Sequence, residues 1–192
     1  MHITILLLIF SYLIGSIPSG LIFSKILNKG DIRKSGSGNI GATNALRVGG
    51  KLLGSLTLMF DLLKGLIVVI VAKLLGIEFI GIYGFACILG HIFPIWLKFR
   101  GGKGVATVFG VVLGMHVIIG AVMMLLWIIV FRASKISSLA SLSSITISII
   151  ALSFGEHYID SIFLILSLLL IVYKHKDNII RLYNGEESKI SL

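Results

Sequence analysis

From Val105 to Phe131 the chain runs without a single Asp, Glu, Lys or Arg. An apolar helix crosses a hydrocarbon core of about 30 Å with about 20 residues, so this stretch points to a membrane. Read as one crossing, it leaves Arg132 and Lys135 outside, against the tendency of Lys and Arg to stay cytoplasmic. Two short segments, broken near Gly114-Met115-His116, restore that tendency. Each is only about 18 Å long at 1.5 Å per residue, so tilt, local thinning or re-entry has to make up the difference.

The rest of the chain follows suit. It is 57% hydrophobic and 13% charged, where a soluble domain has about 25% charged residues. Further apolar runs cover Ile3–Phe23, Leu52–Leu75, Phe79–Leu97, Leu139–Phe154 and Ile162–Tyr173. Pro18 is expected to kink the first of these, with Ser16 and Ser19 re-satisfying freed backbone groups. Met1-His2-Ile3-Thr4 lacks a basic region, so 3–23 reads as a retained span rather than a cleaved signal. The expected fold is all-α: a polytopic membrane bundle of about seven transmembrane segments, one domain over residues 1–192. The positive-inside tendency puts the N-terminus outside, the C-terminus in the cytoplasm and the acidic Glu156/Asp160 turn outside. Four polar regions, 24–51, 98–104, 132–138 and 174–192, then share the cytoplasmic face. Cys87 is the lone cysteine, so no intrachain disulfide is available.

The net charge of +9 is concentrated in those regions, which suits anionic lipid or phosphate partners and not one extended nucleic-acid face. In 90–107, GHIFPIWLKFRGGKGVAT, Arg100 and Lys103 stand among Gly101, Gly102 and Gly104, glycines that admit close backbone approach to an anion. The spacing is not a Walker A loop. In 35–47, SGSGNIGATNALR, Ser37, Thr43 and Asn44 offer short donors and Arg47 a bidentate phosphate ligand; the plain alternative is a polar linker. In the tail, His175, Asn178 and Arg181 fall on one helical face, either as site residues or as the solvated end of a helix. Histidine there suits a base or a phosphate donor, and the residues do not rank the two. Asp61 and Lys64 are expected to neutralise each other within the membrane, and His91 to pack near a kink at Pro94. No zinc-ligand spacing and no GxSxG is present. On these residues alone the chain handles a phosphate-bearing anion at the cytoplasmic face of a membrane.

The blocks 35–47, 90–107 and KHKDNIIRLYNGEE (174–187), in that order, resemble the bacterial acyl-phosphate:glycerol-3-phosphate 1-O-acyltransferases of the cell membrane. DLLKG at Asp61–Gly65 and the serines after Lys135 fit as well. The resemblance spans essentially the whole chain, with Arg100, Lys135 and Lys174 as mild departures that keep the charge. It implies transfer of a fatty acyl group from acyl phosphate to the 1-hydroxyl of sn-glycerol 3-phosphate, with no metal and no cofactor. It further implies a site at the inner membrane face lined by Ser37, Asn39, Thr43, Asn44, Arg47, Lys103, His175 and Asn178. Ser138 and the glycines Gly101, Gly102 and Gly104 are added to the substrate-binding set. Ser37, Arg47, Lys103, His175 and Asn178 carry the catalytic expectation, with His175 a ligand of glycerol 3-phosphate rather than the essential base. The partners are the two substrates, membrane lipid and, through function, the enzyme that makes acyl phosphate. None of the five histidines is followed five positions on by Asp, which disfavours an acyl-thioester donor. A small transporter or flippase for a phosphate-bearing anion is the alternative reading; a non-catalytic lipid scaffold leaves the glycines unexplained.

Overall fold

The computed structural model describes residues 2–153 and 158–190. Among these residues the chain is helical, with no strand. The first apolar run is broken by Pro18 into α1 (His2–Ser16) and α2 (Ser19–Ile26), bent by 44°. The kink is as expected, but its repair is different. Ser16 Oγ donates to the Tyr12 carbonyl within α1, at 2.8 Å, and Ser19 turns to Asp61. The carbonyls at the break are met by Lys64, whose Nζ donates to Ile17 at 2.6 Å and Gly15 at 3.4 Å.

A loop then leads to α3 (Ala42–Leu74), which starts ten residues before the expected span and so carries Arg47 and Lys51 on helix. Gly50 interrupts it with φ +81 and ψ −175, a conformation open to glycine and costly for other residues. α4 (Gly81–Ile92) follows and ends ahead of Pro94. The uncharged run divides at His116 (φ −141, ψ 97) into α5 (Val105–Met115) and α6 (Val117–Ser134), where the charge pattern placed the break. α7 (Ser137–Ser153), α8 (Tyr158–Lys174) and the short α9 (Lys176–Tyr183) complete the chain. Glu156 lies outside the described residues.

Among the described residues, α3 and α6 are long and apolar enough to cross a membrane, and the bent α1–α2 pair makes a third candidate. α4, α5, α7 and α8 are shorter apolar helices. Val69, Ile88, Val112, Met123, Ile149 and Leu164 form the main core where α3 to α8 meet. Outward, α6 exposes Ile118, Leu125 and Ile129, as expected where lipid is the solvent. Close backbone approach sets the tightest crossing: a Cβ on Gly65 of α3 would overlap the Thr107 carbonyl, and one on Gly110 of α5 the Leu62 carbonyl. Small residues at such crossings supply packing where no hydrophobic effect drives helices together. This crossing fixes the start of α5, and with it the loop that carries Lys103.

Candidate active site

The loop ahead of α3 is held by Asn44, which is 1% exposed. Its Oδ1 accepts from the Ser37 N–H at 2.8 Å, and its Nδ2 donates to the carbonyls of Ile32 and Asn39 at 2.8 Å and of Ser35 at 3.2 Å. With its hydrogen-bonding capacity taken up by the loop, Asn44 orders neighbouring groups rather than offering a donor to a ligand. Asn39 Oδ1 accepts from the Gly41 N–H at 2.8 Å, the local turn that asparagine favours. Thr43 Oγ1 lies 3.0 Å from Ser137 Oγ, tying this loop to the start of α7.

The glycine pair before Lys103 is pinned to the end of α4. Gly101 N–H donates to the Ile92 carbonyl and Gly102 N–H to the His91 carbonyl, each at 3.1 Å. A Cβ on Gly101 would overlap the His91 carbonyl and the Pro94 ring, and one on Gly102 the imidazole of His91. These two glycines, expected at the substrate, instead let the loop pack on His91. Gly104 does border the cavity described below, with φ +88 at the start of α5. His91 itself is buried, its Nδ1 3.6 Å from Asp61 Oδ1. Asp61 in turn accepts from Ser19 Oγ and lies 2.6 Å from Lys64 Nζ, the expected internal ion pair.

The tail closes the arrangement. Lys103 Nζ donates to Asn178 Oδ1. Asn178 Nδ2 and Ser138 Oγ both donate to Glu187 Oε1, and Arg181 Nε donates to Glu187 Oε2 at 2.7 Å. Arg47 Nη2 donates to Ser188 Oγ at 2.8 Å. Ile190 N–H donates to the Lys135 carbonyl at 2.9 Å, and its side chain buries against Phe131 and Ala140.

These groups surround one cavity of about 280 Å³. Ser37, Asn39, Thr43, Asn44 and Arg47 border it from the first block, Lys103 and Gly104 from the second, and Ser138, His175 and Asn178 from α7 and the tail. Arg181 and Glu187, absent from the expected set, border it too. For Arg181 the shared helical face with His175 and Asn178 was the available signal; for Glu187 there was none to separate it from Glu186. Asp61 and His91 reach the cavity, whereas Lys64 does not. Apart from Ser137 and Ser141 of α7, the remaining wall is apolar, with Leu58 and Leu62 of α3, Phe109 of α5, and Met124, Trp127 and Ile128 of α6 its largest members. Leu58 and Ile128 are both 48% exposed, so the apolar end is the open, solvent-accessible side of this wall.

Charge in the polar end is set by burial and neighbours. Burial pushes the Lys103 ammonium down to about 8, with the Glu187 carboxylate opposing. Burial, then repulsion from Lys103, lowers the His175 imidazole to about 4. Burial raises Glu187, but hydrogen bonds from Asn178, Ser138 and Arg181 outweigh it and hold the carboxyl below its usual range. At neutral pH the polar end thus presents the Lys103 ammonium beside the guanidinium groups of Arg47 and Arg181, with the uncharged imidazole of His175 and the Glu187 carboxylate among them. Such an end suits anions, and the apolar end suits a hydrocarbon chain.

The family model described as glycerol-3-phosphate acyltransferase matches residues 5–185. A glycerol-3-phosphate acyltransferase of Bartonella henselae is 48% identical over 97% of this chain and 92% of its own. One of Pelagibacter ubique is 47% identical, with 95% of each chain covered. Among solved structures, the glycerol 3-phosphate form of PlsY (YgiH), an integral membrane glycerol 3-phosphate acyltransferase, superposes with a TM-score of 0.92 at 36% identity, covering 97% of this chain and 95% of that one. The lysophosphatidic acid form of PlsY gives a TM-score of 0.89 at 34% identity with the same coverage.

Proposed function

As the chain belongs to the glycerol-3-phosphate acyltransferase family, we propose that it carries a fatty acyl group from acyl phosphate to the 1-hydroxyl of sn-glycerol 3-phosphate. The products are 1-acyl-glycerol 3-phosphate (lysophosphatidate) and inorganic phosphate. It is a membrane acyltransferase of phospholipid synthesis.

The observation that supports the donor and acceptor together is the shape of the one cavity. Its cationic end suits two phosphates and its open apolar end suits the acyl chain. We assign Arg47 and Lys103 to phosphate charge, and Arg181 to the same field. Ser37, Asn39, Thr43 and Ser138 orient the substrates; Asn44 acts on them through the loop it holds. Asn178 positions Lys103 through their hydrogen bond. An acyl phosphate is an activated mixed anhydride, so no enzyme nucleophile is required. Holding the glycerol hydroxyl about 3–3.5 Å from the carbonyl carbon supplies much of the acceleration. The hydroxyl oxygen bonds to that carbon, the carbon–oxygen bond to phosphate breaks, and phosphate leaves with the electron pair. The departing phosphate takes the hydroxyl proton, while the cations stabilise its charge.

The finer topology belongs to the same reading. We read seven segments, counting the short α5 and the longer α6 separately, with the N-terminus outside, the C-terminus inside and the cavity mouth in the cytoplasm of a bacterial cell with this protein in its inner or plasma membrane. The whole chain acts as one domain and takes its donor from the enzyme that makes acyl phosphate.

The test is purified protein in lipid given palmitoyl phosphate and glycerol 3-phosphate, with lysophosphatidate and phosphate both followed. Equal amounts of the two, lost in Lys103→Ala and absent with acyl-CoA, are the expected result. No product from folded, lipid-embedded protein overturns the donor assignment.

A further inference from the structure

The three blocks that line the active cavity also build a second cleft behind it. Gly38 borders this cleft while Ser37 and Asn39 border the cavity. Gly101 borders it while Lys103 and Gly104 border the cavity, and Lys174 borders it while His175 borders the cavity. The cleft holds about 810 Å³ and gathers four cations, Arg33, Lys98, Arg100 and Lys174. Arg33 is paired with Asp31 at 2.7 Å. Among the described residues none of the other three forms an ion pair. Cations gathered at one rim without carboxylate partners give it a positive field that draws an anion.

The backbone at the rim says which kind of anion. Lys98 (φ 51) and Phe99 (φ 61) are consecutive left-handed residues, neither of them glycine, a conformation uncommon for one such residue and more so for two in a row. The turn is closed by Phe99 N–H donating to the Pro94 carbonyl at 3.0 Å and Arg100 N–H to the Leu97 carbonyl at 3.1 Å. Two aromatic side chains stand out beside the cations here, Trp96 at 62% and Phe99 at 57% exposure. Aromatic rings next to Lys and Arg belong at the headgroup level of a bilayer, where rings meet lipid and cations meet phosphate.

We propose that this cleft is a binding site for the phosphate headgroup of an anionic membrane phospholipid, held by Lys98, Arg100 and Lys174 with Trp96 and Phe99 at the acyl boundary. It is separate from the cavity in which acyl transfer is placed. A lipid bound there seats the loops around Gly38 and Gly101 at the membrane surface.

The test is native mass spectrometry of the full chain released from micelles holding equal phosphatidylglycerol and phosphatidylcholine. Each cation near an anionic surface is worth a factor of about 5, so Lys98→Gln/Arg100→Gln is expected to cut the preference by roughly 30-fold and to leave only the share of about 5-fold that Lys174 supplies. The control Lys25→Gln/Lys29→Gln removes the same charge from exposed sites elsewhere on the chain and keeps the preference. Lys98 and Arg100 are exposed as well, and thermal unfolding checks that the variants fold. Should the double variant fail to fold, Lys98→Gln alone carries the test, with a loss of about 5-fold. Unchanged retention in the Lys98 and Arg100 variants overturns the site. So does equal loss in the control pair, which marks a general charge effect. Displacement of the lipid by inorganic phosphate alone replaces the headgroup with a free-phosphate site and also overturns the proposal.

Discussion

His175 donates its Nδ1 hydrogen to the carbonyl of Ile171, 2.8 Å away and one helical turn earlier. A carbonyl only accepts, so the neutral imidazole keeps its proton on Nδ1 and presents Nε2 as a bare lone pair. A ring in that state suits a hydroxyl that donates to Nε2 and has no free N–H for a phosphate. With the imidazole lowered to about 4, it is also a poor place to leave a proton.

A His175→Gln protein should therefore lose kcat by only about 10-fold, within what one positioned hydrogen bond supplies. The wild-type rate should show no acid limb near 6.5. Stability carries the complementary sign. The folded state holds His175 neutral, so this contribution is complete above the unfolded value of about 6.5 and is lost as pH falls towards 4. Rates between pH 5 and 9, together with thermal unfolding over the same range, check both statements. An acid limb at 6.5 that vanishes in His175→Gln makes His175 the base.

Lys103 sets the other limb. Its ammonium, brought down to about 8 by burial, loses charge above that pH in the free enzyme. The profile of kcat/KM, which reports the free enzyme, should fall with an apparent pKa of about 8. In Lys103→Arg the guanidinium stays charged throughout, so the alkaline limb should disappear even though the absolute rate drops with the altered geometry. An unchanged limb in Lys103→Arg assigns it to another group.

Much of this was readable from residue types in order. Pro18 announced the kink, the cations at Arg132 and Lys135 announced the break near His116, and three blocks carried the polar wall. Sequence does not say which short polar side chain faces inward. Ser37, Asn39, Thr43 and Asn44 look alike on paper, yet Asn44 is consumed by four bonds to its own loop, a fact of tertiary geometry. Glu187 was hidden for the same reason, since only the fold-back of the tail brings it to Asn178 and Arg181. The role of Gly101 and Gly102 depended on where α4 ends, and helix ends are set by packing more than by propensity.

The Asp61–Lys64 pair makes a prediction about folding. Both residues are buried, at 2% and 6% exposure, and 2.6 Å apart. Removing one partner leaves the other charge uncompensated, at a cost of about 3–5 kcal/mol. Asp61→Asn should lower stability by that amount, measured by denaturant or thermal unfolding in micelles. Asp61→Asn/Lys64→Met should recover most of it, because the second change removes the stranded ammonium. The carbonyls of Gly15 and Ile17 then lose their donor, so recovery should stop short of wild type. A double variant no better than the single one shows that the pair is not what Asp61 contributes.

Gly102 and His91 couple the buried ion pair to the cavity. A Cβ on Gly102 would overlap the ring of His91, which is 5% exposed and cannot swing away. Gly102→Ala must then displace the loop that carries Lys103, and a misplacement of about 1 Å costs on the order of 100-fold in rate. Shortening the opposing side chain should return part of that loss. His91→Ala/Gly102→Ala is expected to be more active than Gly102→Ala alone, while His91→Ala alone loses activity because Asp61 gives up one of its partners. Steady-state kinetics on the three proteins, each checked for folding, decide the matter. If the two losses simply multiply, Gly102 and His91 do not act through contact, and the path from the buried pair to Lys103 runs elsewhere.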